Sequence, residues 1–600
     1  MFCYYNPLDK NSKSIIGAVE QGKKLNFCIK TDSNYCKLVI RKDGTNKFNS
    51  YPMERQGDFF TFSFNTAEIG LFWYYFELEN NKFIGLSKNY EGEIQDYPNS
   101  FQLTIYKKGY KVPNWLNIIY QIFPDRFYEK KGKYELKQGK IYHENKKDLP
   151  NYLPNEEGEV LNNDFFGGNL QGIICKLDYI KSLGVNAIYL NPIFEAYSNH
   201  RYDTGDYMKI DSLLGSEEDL KELIKKAEEK DIKIILDGVF NHTGSDSIYF
   251  NKKGTYNSVG AYQNKKSPYY NWYSFKEFPN DYEAWWGIKT LPAVNEDNKT
   301  YVDFITGKNG VIDHYAKLGI GGFRLDVADE LPSFFIKKIR KTLKKVDENA
   351  ILIGEVWEDG TNKISYGKRR SYFQGEELDS VMNYTLKEAI IDFVKTKEPK
   401  NLAYLIKEQI DHYPTNALKS QMNLLSTHDT MRILTVLGGA PDGLTKKEKA
   451  DFKLSKDGLK EAMFGLKVAS LLQYTLFGVP SLYYGDEVGL EGYEDPFNRR
   501  YYPWGKENKE LLSWYQKLGE IRNSIDAVKD GNYKELYVDK NFLCFERRSD
   551  ENLVIVAVNL GDSTYYINAE GNLKELISNK KYKDRIEIKP FSFGIFYLLS

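Results

Sequence analysis

Eight short apolar runs separated by mostly helical segments, framed by two stretches of alternating β-type residues, predict an α/β fold. The architecture expected is a (β/α)8 barrel of the TIM type with a subdomain inserted after its third strand, between an N-terminal β-sandwich and a C-terminal β domain. The expected boundaries are 1–110 for the sandwich, 111–525 for the barrel with 243–300 as its insertion, and 526–600 for the last domain. Six hundred residues suit such a division, since one typical domain takes about 150 residues.

The N-terminal stretch reads as strands at Lys24 to Lys30, Cys36 to Arg41, Phe59 to Phe64 and Leu71 to Leu78, punctuated by Asp43-Gly44 and Gln56-Gly57. Pro113 marks the change of character. In the barrel, Leu116 to Phe123 is the first strand. Leu170, Ile173, Ile174, Leu177 and Ile180 then recur at helical spacing and Gly184 follows as the residue beyond the cap. Val185 to Leu190 is the second strand. Ser216 and Asp219 form a capping-box pattern before Leu220, Leu223, Ile224 and Ala227, and Ile232 to Leu236 is the third strand. Further strands are expected at Gly322 to Val327, Ile351 to Val356, Ser380 to Tyr384, Met422 to Ser426 and Pro480 to Tyr484. The stretch from Thr243 to Lys299 is too long for a loop and rich in Tyr, Trp and Asn, hence the inserted subdomain. Phe542 to Arg547, Leu553 to Asn559 and Ile595 to Leu599 supply strands of the C-terminal domain.

Composition excludes several partners. Lys and Arg total 83 against 84 Asp and Glu, so no basic surplus exists for phosphates or an anionic membrane, and neither nucleic acid nor membrane is an expected partner. No apolar run reaches the ~20 residues that cross a bilayer. Five cysteines without a C-x-x-C pair argue against a disulfide framework or a Cys-rich zinc site, and charged residues near the N-terminus leave no export signal, so a cytoplasmic location is expected. Aromatic residues make up 15% of the chain and offer flat faces that suit sugar rings, although core packing accounts for most of them.

In such a barrel the active site forms beyond the C-terminal ends of the strands. Those positions are heavily polar: Asn199 to Asp203 after the second strand, Asp237 to His242 after the third, Arg324 and Asp326 at the fourth, Glu355 and Trp357 after the fifth, and Thr427 to Asp429 after the seventh. Any one of these is an ordinary cap or turn residue. Three of the six histidines, three acids and an arginine in one class of position point to a site. Residues two apart on a strand face one side, so Arg324 and Asp326 both face the barrel mouth. A guanidinium there favours an ionised nucleophile while a carboxyl in a drier spot stays protonated as an acid, the division of labour of a retaining glycosidase.

These segments resemble the α-amylase family of glycoside hydrolases, in its neopullulanase, cyclomaltodextrinase and maltogenic amylase branch. Asp237-Gly-Val-Phe-Asn-His242, Gly322-Phe-Arg-Leu-Asp326, Gly354-Glu355-Val-Trp357 and Ser426-Thr-His-Asp429 are similar to the family's four signature segments, in order. Ser198 to Thr204, Gly478 to Glu487 and Asp495 to Arg500 are similar to that branch. The resemblance implies Asp326 as nucleophile, Glu355 as acid/base and Asp429 as the acid that grips sugar hydroxyls and stabilises the transition state. It implies Arg324, His242 and His428 around the cleaved sugar, Tyr202 as the platform beneath it, Trp357 on the aglycone side, and Asp495 with Arg499 on the far glycone side. It implies an α-glucan oligosaccharide or polysaccharide as substrate and a homodimer through the N-terminal domain. No cofactor is required. Asn241 matches a calcium ligand of secreted relatives or is a turn-stabilising amide, while the loop 128–164 lacks their Asn/Asp-rich calcium pattern and Asn169 stands where Asp is usual. Leu291-Pro-Ala-Val-Asn295 departs from the branch's Met-Pro-Lys-Leu-Asn form, which leaves substrate preference open.

Other readings use the same residues. A transglycosylase differs only in its acceptor. A non-catalytic carbohydrate-binding barrel would lack the three acids found here. A zinc hydrolase built on His200, His242, His428 and Asp326 has no His-x-His or His-Glu-x-x-His spacing behind it.

Overall fold

A computed structural model describes residues 1–132, 137–156, 158 and 160–599. The loop read as lacking a calcium pattern therefore lies partly outside the described residues.

Barrel strands β1 (Ile119–Ile122), β2 (Ala187–Leu190), β3 (Lys233–Gly238), β4 (Gly322–Leu325), β5 (Ile351–Gly354), β6 (Ser380–Val381), β7 (Met422–Leu424) and β8 (Val479–Tyr483) form one sheet. Its order is β6-β5-β4-β3-β2-β1-β8-β7, and every pairing is parallel. A single parallel bridge, Met382 to Met422, closes the ring between β6 and β7. The eight strand expectations fall on these elements. They overran most of the ends by one to three residues because the chain leaves the ladder there to build the mouth.

Side-chain parity separates two layers. Ile119, Ala187, Tyr189, Ile235, Ile351, Ile353, Met382, Met422 and Leu424 pack together inside the barrel, whereas their neighbours Tyr120, Ile188, Ile234, Phe323 and Leu352 pack outward with the helices. The helix Glu217–Glu228 starts on the expected capping box: the Ser216 hydroxyl accepts from Asp219 N–H, and Asp219 accepts from Ser216 N–H. The helical run from Leu170 is two short helices, Leu170–Cys175 and Leu177–Ser182, broken at Lys176. The Lys176 ammonium sits 4.1 Å from the Tyr128 ring and 3.9 Å from the Trp504 ring. Gly184 follows the second helix with φ 80°, where a Cβ would also meet Gly519 Cα at 2.9 Å, so both backbone and space require glycine.

Asn169 caps the first of these helices by accepting from Gly172 N–H at 2.7 Å and donates to Lys130 O at 3.0 Å. An amide does both at once, which a carboxylate cannot. In the insertion, Tyr249, Phe250, Trp272, Tyr273 and Tyr282 are buried, so its aromatic richness is largely its own core.

The N-terminal residues form a four-stranded and a seven-stranded sheet around a core that includes Leu25, Phe27, Ile29, Leu38, Ile40, Tyr74 and Phe76. Lys24–Thr31 alternates buried and more exposed side chains, as a sandwich strand does. This sandwich rests on the barrel helix Lys400–His412 through a fully buried ion pair, Lys13 with Asp411, to which Tyr90 OH donates at 3.2 Å. Asp43 accepts from Arg369 at 2.8 and 3.1 Å, and Gln102 bonds Thr361 and Asn362, each at 2.8 Å. The C-terminal residues form a six-stranded antiparallel sheet from Asn532 onward. Lys407 of the same helix reaches Glu535 there at 3.0 Å. No helix among the described residues is long and apolar enough to cross a membrane.

Candidate active site

The inward parity of the strands continues past the apolar layer into a polar one. Gln121 lies two residues beyond Ile119, Asp237 two beyond Ile235, Arg324 two beyond Gly322 and Glu355 two beyond Ile353, so all four project into the barrel mouth. Above them opens a cavity of about 1080 Å³. Every predicted site residue except Arg324 lines it: Tyr202, His242, Asp326, Glu355, Trp357, His428, Asp429, Asp495 and Arg499.

Arg324 lies beneath as the fully buried hub. Its Nη1 donates to Asp326 Oδ1 at 2.7 Å and Asp237 Oδ1 at 2.9 Å, and its Nη2 lies 2.9 Å from Glu355 Oε2. Its Nε approaches Met382 Sδ at 3.4 Å. One positive charge thus serves three carboxylates, which changes the expectation that Arg324 holds Asp326 ionised. Burial pushes the Asp326 carboxyl well above the usual carboxylate range; Arg324 pulls it down, while Glu355 and Asp237 push it further up. Burial likewise raises Asp237 against the pull of Arg324. Asp429 rises to about 7 through burial and the Glu355 charge, opposed by Arg499 and Arg324. A third of its side chain opens on the cleft.

Glu355 is held on both oxygens. The Val327 N–H donates to Oε2 at 2.9 Å and the Trp357 indole N–H to Oε1 at 3.2 Å. Val327 directly follows Asp326 and has φ 38°, a left-handed conformation unusual for a β-branched residue. The Trp357 ring stacks on Tyr384 with centroids 3.8 Å apart and planes 9° apart.

A relay runs across the floor. Gln121 Nε2 donates to His428 Nδ1 at 3.0 Å, so the neutral ring carries its proton on Nε2 and gives it to the Tyr202 oxygen at 2.6 Å. Tyr202 then donates to Asp237 Oδ2 at 2.8 Å, beside Tyr189 OH at 2.6 Å. Burial keeps His428 neutral, and Arg499 and Arg324 push its pKa the same way. His242, lowered to about 4 by burial, presents an Nε2 without a hydrogen-bond partner among the described residues and lies over Trp285 at 5.3 Å. Arg499 bonds Asp495 at 2.8 Å and lies 3.7 Å from Asp429 Oδ1, tying the two acids together.

Sequence reasoning missed Gln121, Tyr189, Asn191 and Val327, and quoted Asp237 without giving it a role. Asn191 donates to Tyr202 OH at 3.0 Å. Counting by twos from the inward apolar residues of β1, β2 and β3 is the signal that finds the first three and Asp237. Val327 has no such signal, since its role lies in backbone geometry. Among the described residues no three His, Cys, Asp or Glu side chains are grouped to hold a metal. Asn241 donates to Glu296 at 3.2 Å and its Oδ1 lies 3.3 Å from His242 Nδ1.

The model of the "Alpha amylase, catalytic domain" matches residues 121–528. An amylopullulanase of Thermoanaerobacter thermohydrosulfuricus is 36% identical, covering 93% of this chain and 42% of the relative, so the chain spans less than half of that protein. A cyclomaltodextrinase of a Bacillus species is 31% identical over 75% of this chain and 74% of the relative. A solved cyclomaltodextrinase structure superposes with TM-score 0.71 at 25% identity, covering 99% of both chains.

Proposed function

Because the chain belongs to the α-amylase family, we propose that it is a retaining glycoside hydrolase cleaving α-1,4-glucosidic bonds, and α-1,6 bonds where branches enter, in maltooligosaccharides, starch, pullulan or cyclodextrins. The observation that carries the reading is one guanidinium joining Asp326 and Glu355 on the floor of a cleft that Asp429 overlooks. Two carboxyls held by a single side chain suit the close pair, about 5–5.5 Å apart, of a retaining enzyme rather than the wider inverting pair.

On this reading Asp326 attacks the anomeric carbon while Glu355 gives its proton to the departing oxygen. Glu355 Oε2 is occupied by Arg324 and Val327, and among the described residues Oε1 takes only the Trp357 indole, so Oε1 is the oxygen that serves the leaving group. Glu355 then takes a proton from a water whose oxygen bonds to the anomeric carbon as that carbon's bond to Asp326 breaks. Tyr202, fixed through Asp237 and His428, is the platform under the cleaved unit; His242 Nε2 is a donor or acceptor for its hydroxyls; Asp429 grips hydroxyls as charge develops; Asp495 and Arg499 bound the glycone end.

All five cysteines are free, which supports the cytoplasm as the site of action. Phe48 and Phe59, exposed on the sandwich, support a homodimer through that domain, checked by sedimentation at micromolar concentration. The test of the activity is a substrate panel followed by proton NMR. The α-anomer is expected as first product and Asp326→Asn loses at least ~10⁴-fold in kcat/KM. A β-anomer first, or near-normal turnover in that variant, defeats the assignment.

A further inference from the structure

We propose that Trp286 and Tyr366, tied together by Glu330, form an acceptor-side sugar platform that takes the second and later glucosyl units beyond the scissile bond. The proposal rests on the α-glucan reading above.

The side of the cleft follows from Glu355. The group that protonates the departing oxygen stands on the leaving-group side, and the segment after it contributes Trp357, Lys363 and Tyr366 to the lining of the cavity. Trp286 reaches Tyr366 from the inserted subdomain, both of them bonding Glu330. The two residues are 78% and 73% exposed, more than Trp357 at 45%, although all three line the cavity. Large aromatic surfaces left open beside polar edges mark a binding surface. The polar ends of both rings go to one atom: Glu330 Oε1 accepts from the Trp286 indole at 2.8 Å and the Tyr366 hydroxyl at 3.1 Å. Their flat faces stay free while their edges are anchored.

Backbone geometry gives an independent observation. Trp286 has φ 49° and Tyr366 φ 50°, left-handed conformations that bulky side chains avoid. Each is followed by a glycine that is also left-handed, Gly287 at φ 78° and Gly367 at φ 72°, so both rings stand on tight turns, from segments 80 positions apart that meet on one carboxylate. The hairpin Ile364–Ser365 with Lys368–Arg369, which carries Tyr366 at its turn, is held from behind because Arg369 is the residue that Asp43 of the sandwich grips.

Pyranose rings present apolar C–H faces that lie on aromatic planes, and Glu330 and Asp329 offer acceptors at their rims. An acceptor whose second unit rests here places its first unit where water would otherwise attack the glycosyl-enzyme. In transfer, its hydroxyl oxygen forms the new bond to the anomeric carbon, the bond from that carbon to the Asp326 oxygen breaks, and the hydroxyl proton passes to Glu355. The platform therefore sets both the preference for long leaving groups and the share of transfer over hydrolysis.

Binding without turnover tests it. In the full-length Glu355→Gln protein, Trp286→Leu and Tyr366→Leu keep apolar bulk while removing the flat faces. Calorimetry with maltohexaose is expected to show Kd raised at least fivefold by each. In the otherwise intact enzyme the same changes should lower the ratio of kcat/KM for maltohexaose to that for an aryl maltotrioside about tenfold. Kd within twofold of the parent in both variants overturns the platform. Failure of the unmodified enzyme to turn over any α-glucan would instead remove the hydrolase reading, and the two outcomes are distinct because calorimetry needs no catalysis.

Discussion

The N–H of Val327 donates to Glu355 Oε2 at 2.9 Å from a backbone held at φ 38°. The residue after the candidate nucleophile thereby aims the candidate acid, and β4 and β5 are coupled at their tips by a strained peptide. Such a conformation costs about 1–3 kcal/mol, set here against the orientation of one carboxyl.

Val327→Gly should relieve that strain and loosen the aim together. A melting temperature unchanged or raised by a few degrees is expected, with kcat lowered about tenfold. A large drop in melting temperature at unaltered kcat would show that the side chain, not the backbone, matters.

Arg324→Lys keeps the charge but loses the fork. A single ammonium cannot reach Asp237, Asp326 and Glu355 at the distances seen, so two buried carboxylates lose their partner. Destabilisation of about 3–5 kcal/mol and at least ~10²-fold loss of kcat are expected, read by denaturant titration and steady-state kinetics.

The pH dependence follows from the direction of the Asp326 shift. A raised carboxyl pKa means that the ionised nucleophile is lost at a higher pH on acidification, so the acid limb of kcat/KM should lie above the ~3.9 of a free aspartate. The sign for stability is the reverse of the common carboxylate case. The folded protein binds the proton more tightly than the unfolded chain, so the site costs nothing below the unfolded pKa and its full cost appears as pH rises past the folded one. Asp326→Asn should therefore raise the melting temperature at pH 8, with the gain fading toward pH 4. An acid limb at the free aspartate value, or a gain that grows on acidification, would contradict this.

Lys13→Met leaves Asp411 buried with Tyr90 OH as its remaining side-chain donor among the described residues. A loss of about 3–5 kcal/mol is expected, recovered in large part by pairing it with Asp411→Leu. Thermal melts of the two single variants and the double variant read the coupling. Additive losses would show that the pair is not the contact that matters.

The fold was legible because each barrel element announced itself locally. Eight apolar runs, the Ser216–Asp219 box and Gly184 all express short-range rules that tertiary packing did not override. The residues gathered around Asp326 were legible through parity and through likeness to known segments. Gln121 was not, because a polar residue inside an apolar strand looks like an interruption until the inward face is counted; Tyr189 reads as one more core residue, and Asn191, one past Leu190, as an ordinary turn residue. The break at Lys176 lay hidden because apolar spacing continues straight across it. Asp43 with Arg369 and Lys13 with Asp411 join positions more than 300 apart, and no local pattern encodes such a pairing. The rings of Trp286 and Tyr366 could not be told from the buried aromatics around them, since exposure is a property of the assembled cleft.

The single Met382–Met422 bridge makes the β6–β7 junction the slackest point of the hoop, between strands of two and three residues. The segment joining those strands contains the helix Lys400–His412, and that helix is where the sandwich is pinned through Asp411. The N-terminal sheets thus work as a buckle across the gap. Heating should open the ring there first, and amides of β6 and β7 should exchange with solvent before those of β2 to β4. With the buckle undone, that early exchange should spread to Arg324, whose Nε lies against Met382, so the catalytic floor would come loose from the edge of the molecule inward.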